Sequence, residues 1–170
     1  IGQGYNLVTP LQQANMMVAV ANGGMLLKPY LVKRIENPDG RILNEFFPEI
    51  KGKIGGKSEN LEIIRKALHD VVNGPKGTGR KAKLDDIVVS GKTGTVQVVR
   101  MKIKKELKKE EIPYKHRDHA WFVGFAPYEK PEIVVAVLIE HGGHGGATAA
   151  PIAKKIIKKY FQLYPLKPAA

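Results

Sequence analysis

The chain has 170 residues, 43% of them hydrophobic and 26% charged, which suits one soluble-type domain with a real core. No apolar run approaches the roughly 20 residues needed to cross a bilayer, and the absence of cysteine excludes disulfides, thiolate catalysis and cysteine zinc sites. A net charge of +12 admits nucleic acid, an anionic polymer or an anionic membrane or cell-wall surface as a partner, but it speaks to solubility and association rather than to fold.

The chain opens on Ile1-Gly2-Gln3 rather than methionine, and it is expected to be cut from a longer protein. The first element is a helix starting at Thr9-Pro10-Leu11-Gln12. Thr9 suits the N-cap, Pro10 the first helical position, and Gln12 can reach back to close a capping box. Gly23-Gly24 ends this helix, whose apolar residues run most of the way round it and predict burial on several sides. Next, Tyr30–Ile35 and Arg41–Leu43 flank Asn37-Pro38-Asp39-Gly40, a turn sequence between two short strands. Lys51–Lys57 reads as a polar, glycine-rich loop. A second helix is expected over about Glu59–Val72, with Leu61, Ile64, Leu68, Val71 and Val72 on one face and Asn73-Gly74-Pro75 as its stop. Gly77–Lys81 reads as a flexible basic loop.

Residues 88–99, VVSGKTGTVQVV, contain Gly-Lys-Thr, the end of a phosphate-binding loop. That loop needs a glycine at position 86 and a helix after the motif. Position 86 is Asp86, whose carboxylate repels phosphate, and Val96-Gln97-Val98-Val99 favours a strand. The stretch therefore predicts a strand, a short glycine interruption and a continued strand, with a bulge as the structural explanation of the glycines.

Residues 100–118 form a charged insertion. His119–Ala126 then reads as a strand, Tyr128–Pro131 as a turn, and the continuously apolar Ile133–Ile139 as a central strand covered on both faces. The short turn makes these two strands antiparallel. His141–Gly146 reads as a loop and Ala149–Ala153 as a helix start, with Ile152, Ile156, Tyr160 and Phe161 opposite Lys154, Lys155, Lys158 and Lys159. The expected class is α+β, helices flanking an antiparallel sheet.

Two motifs fall together in this order. Gly2-Gln3-Gly4 with Thr9-Pro10-Leu11-Gln12 resembles a segment of class B penicillin-binding proteins, and Lys92-Thr93-Gly94-Thr95 resembles their Lys-Thr-Gly box. The Ala120-Trp121-Phe122 strand, the apolar strand after it and the Ala149–Ala153 helix start are also similar to this family, so the likeness covers nearly the whole chain. The Gly-Gly-His-Gly-Gly loop leans toward the elongation-type member, penicillin-binding protein 2. One departure is large. The family's nucleophile and base lie in a Ser-x-x-Lys motif before the Gly-Gln-Gly segment. The only serines here, Ser58 and Ser90, are followed three residues later by Leu61 and Thr93. Ser58-Glu59-Asn60 matches the family's Ser-x-Asn motif on paper but falls after Gly-Gln-Gly, and reads instead as the start of the second helix, where Ser and Asn are preferred caps.

The resemblance implies a D,D-transpeptidase. Its serine would attack the D-Ala-D-Ala bond of a peptidoglycan stem peptide, form an acyl-enzyme and pass the acyl group to an amine; β-lactams would acylate the same serine. Residues 1–170 would be the C-terminal part of one such domain, inactive without the nucleophile. By the same resemblance, the Thr95 N–H would be an oxyanion donor, Lys92 would supply positive charge, and the hydroxyls of Thr93 and Thr95 would bind the substrate's carboxylate. Gly94 and Gly91 would let substrate backbone approach closely. The expected partners are stem peptides, β-lactams, the upstream part of the same domain and cell-wall elongation proteins, with no cofactor and no nucleic acid. The parent would be anchored in the bacterial inner membrane and face the periplasm. Trp121 is expected in the core. His141 and His144, with Glu140 or His119, lack the spacing of a metal site. The competing reading is a basic, non-catalytic module that binds nucleic acid or another anionic polymer.

Overall fold

A computed structural model describes residues 6–98 and 112–166. The Gly-Gln-Gly segment and most of the charged insertion lie outside these residues.

Helix α1 (Pro10–Ala21) starts as its sequence predicts. The Thr9 hydroxyl accepts from the Gln12 N–H at 3.2 Å, and the Gln12 side chain accepts from the Thr9 N–H at 2.8 Å. Only its C-terminal half is enclosed. Met17, Val20 and Ala21 are buried, whereas Leu11 and Met16 are exposed. Strands β1 (Met25–Leu27), β2 (Arg34–Glu36), β3 (Ile42–Glu45) and β4 (Ile50–Lys53) follow. The β2–β3 hairpin forms around the expected turn, with Gly40 at φ +81° and its N–H donating to the Asn37 carbonyl at 2.9 Å. Strand β4 replaces part of the expected polar loop. It pairs antiparallel with β1, Met25 opposite Lys53, a non-local pairing that three- and four-residue strands do not announce.

Helix α2 spans Ser58–Asn73. Ser58 is its first residue and Lys57 occupies the cap without a side-chain bond, one position off the expected arrangement. Its inner face also differs from the expected one: Arg65, Leu68 and Val72 are buried and Ile64 is exposed. The Arg65 guanidinium donates to the Ala21 carbonyl, and at 2.6 Å to the Tyr128 carbonyl, while lying over the Phe125 and Tyr128 rings. A cation at an apolar-looking position thus ties α1, α2 and the turn after β6 together.

The central sheet is β5 (Ser90–Val96), β6 (His119–Ala126) and β7 (Ile133–Ile139), in that spatial order and antiparallel throughout. β5 runs through its glycines without a break: Ser90 to Val96 pair one-to-one with Phe125 to His119. The expected interruption is therefore absent, and so is the bulge that would be the alternative explanation of the glycines. Alternation assigns the two faces. Val123 and Phe125 of β6 pack with α1 and Leu68. Phe122, Val135 and Val137 pack with Val72, Val89 and the last helix, α3 (Gly145–Leu163). Covering both faces explains the unbroken apolar run of β7. α3 begins four residues before the expected start, which places Pro151 inside it. Its buried stripe is Ala149, Ala150, Ala153, Ile157 and Phe161, with Ile156 exposed, so the inner face is rotated from the expected one.

Candidate functional site

β5 is the edge strand of the central sheet, and among the described residues no strand pairs with its outer side. The four motif residues divide between its faces. Lys92 pairs with Val123 and Gly94 with Trp121 on the α1-facing side; Thr93 pairs with Phe122 and Thr95 with Ala120 on the α3-facing side. Lys92 is exposed and its Nζ donates to the Thr93 carbonyl at 2.7 Å. At a sheet edge both faces are within reach of one bound molecule, so the division does not separate the groups chemically.

The α3-facing side opens into a cleft of about 500 Å³. Thr93 and Thr95 form one wall, and Thr78, Arg80, Lys81 and His144 line the rest. The Thr78 and Thr93 hydroxyls lie 2.9 Å apart. The basic segment that reads in sequence as a flexible loop is fixed in place. The Gly79 N–H donates to the Val71 carbonyl at 2.8 Å, Arg80 Nη1 donates to the Pro75 carbonyl at 3.2 Å, and Ala82 is fully buried after one turn of 3₁₀ helix over Arg80–Ala82. Sequence reasoning missed these residues as site members. The available signal was Pro75–Lys81, a stretch with three cations and no acid beside a glycine-flanked threonine.

The N-terminus of α3 reaches the same place because its first residues carry no side chain. A Cβ at Gly146 would lie 2.2 Å from the Thr78 carbonyl oxygen, and one at Gly145 would lie 2.4 Å from that of Gly94. Gly91 has a different role from the expected one. It is buried, and a Cβ there would lie 2.6 Å from Phe122 Cζ and 2.6 Å from the Val123 carbonyl oxygen. Its space is taken by the Phe122 ring, so it serves packing rather than substrate approach. Trp121 is half-buried and belongs to neither core cluster, contrary to the expectation of a core residue.

The histidines of the loop have protein partners. His119 Nδ1 accepts from the His141 N–H at 2.9 Å, and the two rings meet at a 59° tilt with their centroids 4.8 Å apart. His141 sits at φ +54°, its ring against Tyr114 and its Nδ1 3.1 Å from the Arg117 carbonyl. These contacts hold the residues just before β6 against the loop after β7. His144 stands apart from them, at the cap of α3.

Among the described residues the cleft's chemistry is that of an anion site: hydroxyl donors, the cations Arg80 and Lys81, and no carboxylate. Residues 1–158 match the penicillin binding protein transpeptidase domain family. The chain is 37% identical over 166 residues to the peptidoglycan D,D-transpeptidase MrdA of Haemophilus influenzae, covering 94% of this chain and 25% of that protein. The structure of penicillin-binding protein 2 of Helicobacter pylori, in complex with MreC, superposes with a TM-score of 0.73 at 30% identity, covering 98% of this chain and 27% of that one. Penicillin-binding protein A of Mycobacterium tuberculosis, solved as its penicillin G acyl-enzyme, superposes at 0.72 with 27% identity, covering 95% of this chain and 34% of that one. The chain thus spans about a quarter to a third of the length of these relatives. It belongs to the penicillin-binding protein transpeptidase domain family, on the side of the class B, elongation-type members.

Proposed function

We propose that these residues are the C-terminal part of a peptidoglycan D,D-transpeptidase and form the substrate-binding wall of its active site. The observation that carries the proposal is the Lys92–Thr95 sequence on an edge strand, with both threonines lining a cationic cleft. The substrate is a stem peptide ending in a carboxylate. The Thr93 and Thr95 hydroxyls donate to that carboxylate and Lys92 supplies positive charge from the other face. The scissile carbonyl lies toward Thr95, whose backbone N–H stabilises the oxyanion that forms on attack. The attacking serine and its lysine base belong to sequence outside these 170 residues, since no Ser-x-x-Lys occurs within them. The chain alone is therefore inert, and a β-lactam acylates the parent serine in place of the peptide.

Among the described residues no helix is long and apolar enough to cross a membrane. The parent is anchored in the inner membrane by sequence elsewhere, faces the periplasm and works with cell-wall elongation proteins, as the Helicobacter pylori relative is found in complex with MreC. The test is labelling of the parent by fluorescent penicillin. Thr93→Val removes one charge-assisted hydrogen bond, about 1.5–3 kcal/mol, which slows acylation roughly tenfold or more. A parent that never labels, or a Thr93→Val parent that labels at the wild-type rate, overturns the proposal.

A further inference from the structure

We infer that Arg80 and Lys81 form a binding site for a carboxylate carried by the acceptor amine, distinct from the one that holds the donor's terminal carboxylate. The inference rests on the donor orientation proposed above. Thr93 and Thr95 lie two residues apart on one face, roughly 7 Å along the strand. With the scissile carbonyl at the Thr95 N–H, the donor's carboxylate is held between the Thr95 and Thr93 hydroxyls, and the donor ends on the Thr93 side. The segment bearing Arg80 and Lys81 joins the cleft through Thr78, whose hydroxyl meets that of Thr93. These cations therefore lie past the end of the donor peptide, in space open to the molecule that replaces the leaving group.

Their surroundings give them nothing else to bind. Among the described residues no Asp or Glu lines the cleft. Arg80 spends one donor on the Pro75 carbonyl and keeps the rest of its guanidinium. Lys81 is exposed and has no hydrogen-bond or ion-pair partner among the described residues. The fixed backbone of 77–82 sets where both side chains emerge into the cleft. In the step they serve, the acceptor nitrogen attacks the acyl-enzyme carbonyl. The C–N bond forms, the C–O bond to serine breaks, and the amine proton ends on the serine oxygen. The two cations bind the acceptor's second carboxylate and so select acidic amines over neutral ones.

The test uses the parent enzyme, a thioester donor, and D-glutamate or D-glutamine as acceptor, two amines of equal size that differ by one charge. The products are counted by mass spectrometry. The wild type should favour D-glutamate by about tenfold, the worth of one charge-assisted contact, and the preference should shrink as salt rises. Arg80→Gln/Lys81→Gln should bring the ratio close to one. Lys81→Gln alone, which removes no hydrogen bond or ion pair among the described residues, should lower it part of the way and guards against a misfolded double variant. A wild type without preference, or a labelled variant that keeps it, overturns the inference. Loss of penicillin labelling in Lys81→Gln would place that cation under the donor carboxylate and overturn it too. A wild type that never labels sinks the transpeptidase reading instead, so the two failures are distinguishable.

Discussion

The β2–β3 hairpin and the β6–β7 pair are both antiparallel neighbours joined by short turns, and both are rich in apolar residues, yet their fates differ. β6 and β7 are covered by α1 on one face and α3 on the other, and Phe122 and Phe125 are wholly buried. β2 and β3 pack chiefly on each other. Around them Leu31, Leu43 and Phe47 stand exposed, Phe47 at 71%. An apolar pattern is enough to make a strand, but its contribution to stability depends on what long-range partner covers it. The candidate site stands on the sealed region. There, one strand carries packing residues (Gly91, against Phe122) and chemical residues (Thr93, Thr95) a single step apart, so core damage and loss of function should be hard to separate.

The contrast can be broken most forcefully at Gly91. Gly91→Ala puts a methyl into the Phe122 ring and a backbone carbonyl, only one of which can move. It should cost about 3 kcal/mol, the upper end of overpacking penalties, measured by urea denaturation of the chain. Adding Phe122→Leu should give a double variant less destabilised than the sum of the two singles, because the smaller side chain yields the space. Simple additivity would mean that the ring is not what Gly91 accommodates. A smaller effect is expected at Arg65. Arg65→Met keeps the stem volume but strips the donors from the Ala21 and Tyr128 carbonyls, and should cost about 2 kcal/mol. An unchanged denaturation midpoint would show that this buried cation ties nothing together. The smallest effect belongs to the hairpin: Phe47→Ser should change stability by no more than about 0.5 kcal/mol, as for other exposed positions. A loss of 2 kcal/mol there would erase the distinction between the two pairs.

How much was readable in sequence follows the range of the interactions. The capping box of α1, the Asn37–Gly40 turn and the limits of β6 and β7 depend on neighbours in sequence or on a long unbroken pattern, and all were legible. β4 was not, because its four residues read as polar loop and its partner β1 lies some two dozen residues back. The inner faces of α2 and α3 were read too simply. Counting apolar residues hid the buried Arg65 and gave Ile156 a place that Ile157 holds.

By itself the sequence determined the class of fold, the strand that carries Lys92-Thr93-Gly94-Thr95 and the family likeness, since these rest on local propensity and on a motif contiguous in the chain. Only the tertiary structure decided that Gly91 belongs to the core, that Thr78 meets Thr93, and that Arg80 and Lys81 share their cleft. Those contacts join residues fifteen or more positions apart or on different elements. They exist only once α2, β5 and α3 have packed, because side-chain packing, not local propensity, sets which faces meet.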